Sequence, residues 1–306
     1  MDDTTARLGL GLAAVGRPAY ITTARDSDLG APADRSVEAL RERAHVLLDE
    51  AWALGIRYVD VARSYGRAEE FLGSWLAAHP GRREQLTVGS KWGYAYVGEW
   101  RMDAAVHERK EHSVAMFDRQ WPETLSALGS APDFYLIHSV TPESTALADD
   151  ELLDRLRGLQ EEGVRVGLST SGAHQDEVVH AALAIEDSPF SVVQSTWNLL
   201  ETSVASALRD AHDAGWTVVV KEALANGELA RAESGSRLEA LASGMPSDVY
   251  ALGAVLAQPW AVIVLSGATT RAHLRRGASA RPVDAPDELA MDPADYWRRR
   301  SERPWR

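Results

Sequence analysis

The chain has 306 residues, 45% of them hydrophobic and 25% charged, a balance that supplies a packed core and argues against global disorder. With 45 Asp plus Glu against 32 Lys plus Arg, the formal charge of -13 repels nucleic acid and anionic membranes, so any bound anion must meet a local basic patch. There is no cysteine, which excludes a disulfide framework and a thiolate metal site and makes a reducing cytoplasm the simplest location.

The first stretch, "MDDTTARLGLGLAAVG", begins acidic and lacks the basic region and long apolar run of a signal peptide. No stretch approaches the roughly 20 apolar residues of a spanning helix. From there β-rich runs recur: "RLGLGLA" near residue 7, "IRYVDVA" near 56, "LTVGSK" near 86, "DFYLIH" near 133, "VRVGLST" near 164, "SVVQST" near 191, "WTVVVKE" near 216 and "WAVIVLSG" near 260. Helix-length amphipathic segments lie between most of them. The first, residues 36 to 54, sets Leu40, Ala44, Leu47, Leu48, Ala51 and Leu54 on one face, with Gly55 as a cap. Others are "AEEFLGSWLAA", "DDELLDRLRGLQEEG", "QDEVVHAALAIED", "TSVASALRDAHDAG" and "SDVYALGAVLAQ", while Pro122 is expected to kink or restart the helix in "SVAMFDRQWPETLSALG".

Alternating strands and helices signal a parallel sheet. A doubly wound sheet would place a G-x-G-x-x-G turn after the first strand, and none is there. Eight units with no Pro-, Gly- or Ser-rich linker favour an α/β fold of the closed (β/α)8 TIM-barrel type over residues 1–306 as a single domain.

In such a barrel, chemistry sits at the C-terminal ends of the strands. Asp60 and Tyr65 end the second strand, Lys91 the third and His138 the fourth, while Ser169, Gln194, Lys221 and Glu222 follow on the next three. A phenol titrates near ~10 and donates poorly at neutral pH unless a cation stabilises the phenolate. Lys91 is the obvious cation and Asp60 its holder, with His138 placed to hydrogen-bond a carbonyl oxygen. The four together would polarise a C=O and protonate its oxygen as hydride arrives at carbon.

These residues resemble the aldo-keto reductases: "DVARSYG" matches an Asp-x-A-x-x-Y-G segment, "GSKWG" a catalytic-lysine strand end, and "DFYLIHS" a histidine strand end, and the likeness continues through "GLSTSG", "VVQSTWNLLE" and "LSGATTRAHL". The resemblance implies a nicotinamide cofactor bound without a Rossmann domain. It makes Tyr65 the general acid, Lys91 the group that lowers its pKa, Asp60 the partner of Lys91, and His138 the residue that orients the carbonyl. Ser169, Thr170 and Gln194 are implied contacts of the nicotinamide carboxamide, with Thr170 in place of the usual Asn. Lys221 stands where the family has an aromatic stacking on nicotinamide; it could pair with Glu222 or offer charge to the cofactor or to an anionic substrate. The segment running from Ser266, Gly267, Ala268 and Thr269 through Arg271, His273 and Arg276 is, by the same resemblance, the site of the adenosine 2'-phosphate. Arg275 and Arg281 add to its positive charge and the segment holds no acid. At a helix N-terminus this favours NADPH over NADH, although Arg276 and Gly277 replace the family's Glu-Asn contacts to adenine.

The loop of about residues 92–111 carries Trp92, Tyr94, Tyr96 and Trp100, expected to wall a substrate pocket. The segment at about 17–35 and a C-terminal tail at about 281–306, with Trp297 and Trp305, are expected to complete the rim. The expected partner is a small carbonyl or alcohol, sugar-like or a secondary metabolite, with no nucleic acid or membrane. An alternative is a redox-poor member of the fold serving as a cofactor-sensing or partner-binding subunit. Metal-dependent hydrolysis would call for ligands such as His-x-His on the first strand, and "RLGLGLA" offers none.

Overall fold

The computed structural model describes residues 3–21, 28–31, 34–284 and 286–305. Its strands are β1 (Leu8–Gly11), β2 (Tyr58–Asp60), β3 (Thr87–Trp92), β4 (Tyr94–Tyr96), β5 (Glu108–Lys110), β6 (Phe134–Val140), β7 (Arg165–Thr170), β8 (Phe190–Thr196), β9 (Thr217–Lys221) and β10 (Ile263–Ser266). All but β4 and β5 close into a parallel barrel, in the spatial order β1, β2, β3, β6, β7, β8, β9, β10 and back to β1. The eight runs of the sequence are those eight barrel strands.

Side chains alternate across a strand, so register decides which residues enter the barrel. Tyr58, Phe134, Leu136, Val192, Val219 and Leu265 form one apolar cluster inside it. Gly89 is small because Tyr58 leans over it: a Cβ there would lie 2.2 Å from the tyrosine oxygen. Two residues further along each strand, the inward positions become Asp60, Lys91, His138, Gln194 and Lys221. The buried polar groups thus gather at the C-terminal end, while at the other end the Arg165 guanidinium packs over the Phe134 ring.

The helices outside are α1 (Val37–Ala53), α2 (Ala68–Ala78), α3 (Val114–Leu128), α4 (Asp150–Glu161), α5 (Gln175–Leu183), α6 (Ala205–Asp213), α7 (Ser247–Leu256), α8 (Arg271–Ala278) and α9 (Pro293–Ser301). In α1, Leu40, Ala44, Leu47, Leu48 and Ala51 are buried, the Ser36 hydroxyl accepts from the Ala39 N–H, and Gly55 takes φ 86° beyond the last turn. Leu152, Leu153, Leu156 and Leu159 of α4 are likewise buried, each contributing about 1.5–3 kcal/mol of transfer free energy. The helix does not restart at Pro122: α3 runs through it as one helix, at the cost of the one amide donor proline lacks. Phe117, Gln120, Thr124 and Leu128 remain buried on both sides of it.

A hairpin and a C-terminal helix near the barrel mouth were not read from the sequence. An antiparallel hairpin, β4 with β5, stiffens the loop after β3. The tail forms α9, signalled by Asp292 as N-cap and Pro293 in the first turn. Tyr296 anchors it, 2% exposed, accepting from the Asn198 amide at 3.0 Å. No helix among the described residues is long and apolar enough to cross a membrane.

Candidate active site

Asp60 is 2% exposed and Lys91 fully buried. The Lys91 ammonium donates to Asp60 Oδ2 at 2.6 Å and to the Val61 carbonyl at 2.9 Å. Across the barrel, the Gln194 amide donates to Asp60 Oδ1 at 2.7 Å. Burial pulls the Lys91 ammonium below the usual lysine range, and the Asp60 carboxylate opposes that pull.

Beyond β2 the chain turns sharply, with the Tyr65 N–H bonded to the Ala62 carbonyl at 3.0 Å. Gly66 takes φ 63°, and a Cβ there would lie 2.4 Å from the Gly16 carbonyl oxygen, so the residue after Tyr65 must be glycine. The turn sets the Tyr65 ring 4.7 Å from Lys91 Nζ, 5.4 Å from the His138 ring and 5.5 Å from the Arg17 guanidinium. Arg17, which the sequence reading missed, is 2% exposed and bonded to the Ser64 carbonyl and to Glu108.

His138 lies two residues before the end of β6, within an irregularity at which Ser139 takes φ 53°. The Ser139 N–H donates to Ser169 Oγ at 2.7 Å, which locks the distortion. His138 Nδ1 faces the Ser64 hydroxyl at 3.3 Å, and Nε2 has no protein partner among the described residues. His112 holds the strand end by donating from Nε2 to the His138 carbonyl at 2.8 Å. Burial, with Lys91 and Lys221 close by, keeps His138 well below its ordinary value and therefore neutral. Tyr65 differs from expectation: its pKa is raised well above 10, chiefly by burial and then by Asp60, so the phenol is held protonated rather than acidified.

Lys221 also enters the mouth. Its ammonium donates to Thr196 Oγ1 at 2.7 Å and lies 5.8 Å from the Trp297 ring. Glu222 is committed elsewhere: φ 55° swings it away, and Arg300 of α9 grips both carboxylate oxygens at 2.5 and 2.8 Å. Arg300 in particular holds that carboxyl down at about 2, against the desolvation that pushes it up.

Several expected contacts are turned away. Thr170 follows inward Ser169 on β7 and so points out of the barrel, where its hydroxyl meets Ser195 at 2.7 Å and Gln175 at 3.1 Å. It therefore does not face a carboxamide site. Trp92 follows inward Lys91 in the same way; it is fully buried against Phe117 and edge-on to His112, not a pocket wall. Tyr96 and Trp100 brace the loop, the tyrosine oxygen accepting from the Trp100 N–H at 3.1 Å while the indole donates to the Arg35 carbonyl at 3.0 Å. Tyr94 does face the mouth, 5.1 Å from His138, and lines a cavity of about 480 Å³ with Met102, His107, Glu108 and Trp305. Trp305 closes its side by stacking on His107 at 4.4 Å.

Among the groups expected to face a nicotinamide cofactor, one carries an unmet hydrogen bond. Gln194 spends its amide N–H on Asp60, and its oxygen is a buried acceptor without a partner, as a carboxamide donor would require. Farther out, Ser266, Gly267, Ala268 and Thr269 lead from β10 to α8, whose N-terminus is capped by Thr270; an added Cβ at Gly267 would meet nothing within 4 Å. The arginines here are not a lone basic island. Arg271 and Arg275 both bond Glu50, Arg276 bonds Asp248 at 2.5 Å, and Thr269 and His273 face Asp28. Those acids come from other segments, which is why the local sequence hid them. Glu50, Asp248 and Asp28 thus match the three guanidiniums in number, while the Arg271 and Arg275 side chains remain 56% and 57% exposed. Among the described residues, no group of three or more His, Asp or Glu is placed to hold a metal ion.

A sequence profile described as the Aldo/keto reductase family matches residues 29–240, and the chain belongs to that family. An aldo-keto reductase of Gibberella moniliformis is 28% identical over 169 residues, or 53% of this chain and 49% of its own length. The chain thus spans about half the length of that relative. Among solved structures, the glycerol dehydrogenase AKR11B4 of Gluconobacter oxydans is similar, with a TM-score of 0.67 at 22% identity, covering 92% of this chain and 88% of that one. The holo form of aldo-keto reductase AKR11C1 from Bacillus halodurans gives 0.64 at 19% identity, covering 96% and 91%. Both share the fold.

Proposed function

We propose that the protein is an NADPH-dependent oxidoreductase that reduces an aldehyde or ketone to an alcohol, and that oxidises the alcohol when supplied with NADP. The supporting observation is the convergence of Asp60, Tyr65, Lys91 and His138, from three strands consecutive around the barrel, on one mouth.

The substrate oxygen is seated between Tyr65 Oη and His138 Nε2. With the Ser64 hydroxyl donating to Nδ1, the single imidazole hydrogen sits on Nε2 and hydrogen-bonds that oxygen without leaving the ring. Tyr65, held protonated by burial, carries the proton that the oxygen needs as negative charge develops on it. The phenolate left behind faces Lys91 Nζ, 4.7 Å from the ring centre. Attraction to that ammonium works against the Asp60 carboxylate, which opposes charge on the phenolate. Because it exists only once the phenol ionises, it favours the transition state over the ground state. Asp60 and Gln194 fix the ammonium beforehand, so no reorganisation is needed at the moment of reaction.

A bound nicotinamide dinucleotide supplies the hydride. Gln194 and Ser169 would hold its carboxamide, the turn from Ser266 to Thr269 and the N-terminus of α8 its phosphates, and Arg271, with His273 and Arg276 nearby, the 2'-phosphate. Tyr94 and the cavity beside it would receive the substrate.

The test is NADPH consumption at 340 nm against a panel of aldehydes and ketones. Consumption is expected for at least one class. A protein that binds NADPH yet turns over nothing in the panel would favour the redox-poor alternative and overturn the assignment.

A further inference from the structure

We propose that Lys221 is a carboxylate-binding subsite in the barrel mouth, so that the substrate is a carbonyl compound that also bears a carboxylate. The subsite rests on the reductase reading for the carbonyl end of the molecule, but not for the anion itself.

Lys221 occupies the last inward position of β9, in register with Thr196 of β8. Its ammonium has three N–H donors. One goes to Thr196 Oγ1 at 2.7 Å, which aims the side chain across the mouth. The nearest carboxylate, Glu222, is 3.9 Å away, beyond hydrogen-bond length, and both of its oxygens are already gripped by Arg300. The side chain is only 14% exposed, so water does little to solvate the donors that remain. A nearly desolvated cation with unused donors is a site waiting for an anion.

The surrounding charges point the same way. Lys91 is answered by Asp60, Arg17 by Glu108 and Arg300 by Glu222, so four cations face three anions and Lys221 carries the excess. A protein of formal charge -13 therefore presents a net positive patch beside its candidate catalytic groups. Burial, then Arg300 and Lys91 against the pull of Glu222 and Asp60, brings the Lys221 ammonium down to about 8, still charged at neutral pH and short of a partner. Lys221 is near enough to His138 to help hold that imidazole neutral. The Trp297 ring at 5.8 Å offers an apolar wall for the carbon skeleton between carbonyl and carboxylate.

The test compares 4-carboxybenzaldehyde with 4-methylbenzaldehyde, matched in size, through the ratio of their kcat/KM values. The wild type is expected to prefer the carboxylated aldehyde by about tenfold or more, Lys221→Met to lose that preference, and Lys221→Arg to retain part of it. In parallel, calorimetry with 4-methylbenzoate reads the subsite without turnover, and its Kd is expected to rise about tenfold in Lys221→Met. Reduction of both aldehydes with no preference, or a ratio that survives in Lys221→Met, overturns the subsite and leaves the reductase assignment standing. If neither aldehyde is reduced but the benzoate Kd still rises in Lys221→Met, the subsite stands and the reductase assignment falls.

Discussion

Replacing Arg300 with Met would leave the Glu222 carboxylate, only 8% exposed, without its forked partner and with Lys221 at 3.9 Å as the nearest remaining cation. The Glu222 carboxyl lies at about 2 against an ordinary 4.5, a difference of roughly 2.5 units or about 3 kcal/mol of stability at neutral pH. Loss of one partner from a buried pair falls in the same range. Urea unfolding followed by circular dichroism should therefore show Arg300→Met less stable by about 3 kcal/mol at pH 7. A carboxyl depressed in the folded state stabilises fully above its unfolded value near 4.5, and this stability is lost as pH falls toward the folded value. The gap between variant and wild type should narrow by roughly 1 kcal/mol by pH 4. A loss at pH 7 well under 1 kcal/mol, or a gap that widens with acid, would refute the reading of Glu222 and Arg300 as a stabilising buried pair.

A methyl group added by Gly89→Ala, 2.2 Å from the Tyr58 oxygen, should overpack the barrel and cost about 1–3 kcal/mol in the same assay. Arg271→Ala should narrow the difference between NADPH and NADH affinities, measured by quenching of the ten tryptophans, because it removes one of the two solvent-open guanidiniums bonded to Glu50. Lys221, with a pKa brought down to about 8, loses its charge as pH rises through that value. Binding of 4-methylbenzoate should accordingly weaken by about tenfold per pH unit above 8 in the wild type and stay flat over the same range in Lys221→Arg.

The barrel was legible because each strand is a short apolar run and several of the helices between strands close on Gly, a pattern set by neighbours in sequence. The positions of Asp60, Tyr65, Lys91 and His138 at strand ends were legible for the same reason. Thr170 and Trp92 were misread where a count of two along the strand would have served: Ser169 and Lys91 point inward, so their successors point out. The arginines of α8 seemed unopposed because Glu50 and Asp248 arrive from other helices. Glu222 and Arg300 lie 78 residues apart, and no local pattern announces such a pair. Burial is likewise a property of the folded whole, which is why Tyr65 was expected to be acidified and is instead held protonated.

The most direct test of Tyr65 as proton donor is a stopped-flow single turnover. Protein saturated with NADPH is mixed with a reducible aldehyde, and the nicotinamide absorbance is followed for wild type and Tyr65→Phe. The expected result is rapid loss of absorbance in the wild type and a rate lower by at least about 100-fold in Tyr65→Phe, with NADPH affinity within a few-fold of wild type. Hydride transfer at an undiminished rate in Tyr65→Phe would contradict the account, since the proton would then come from another group.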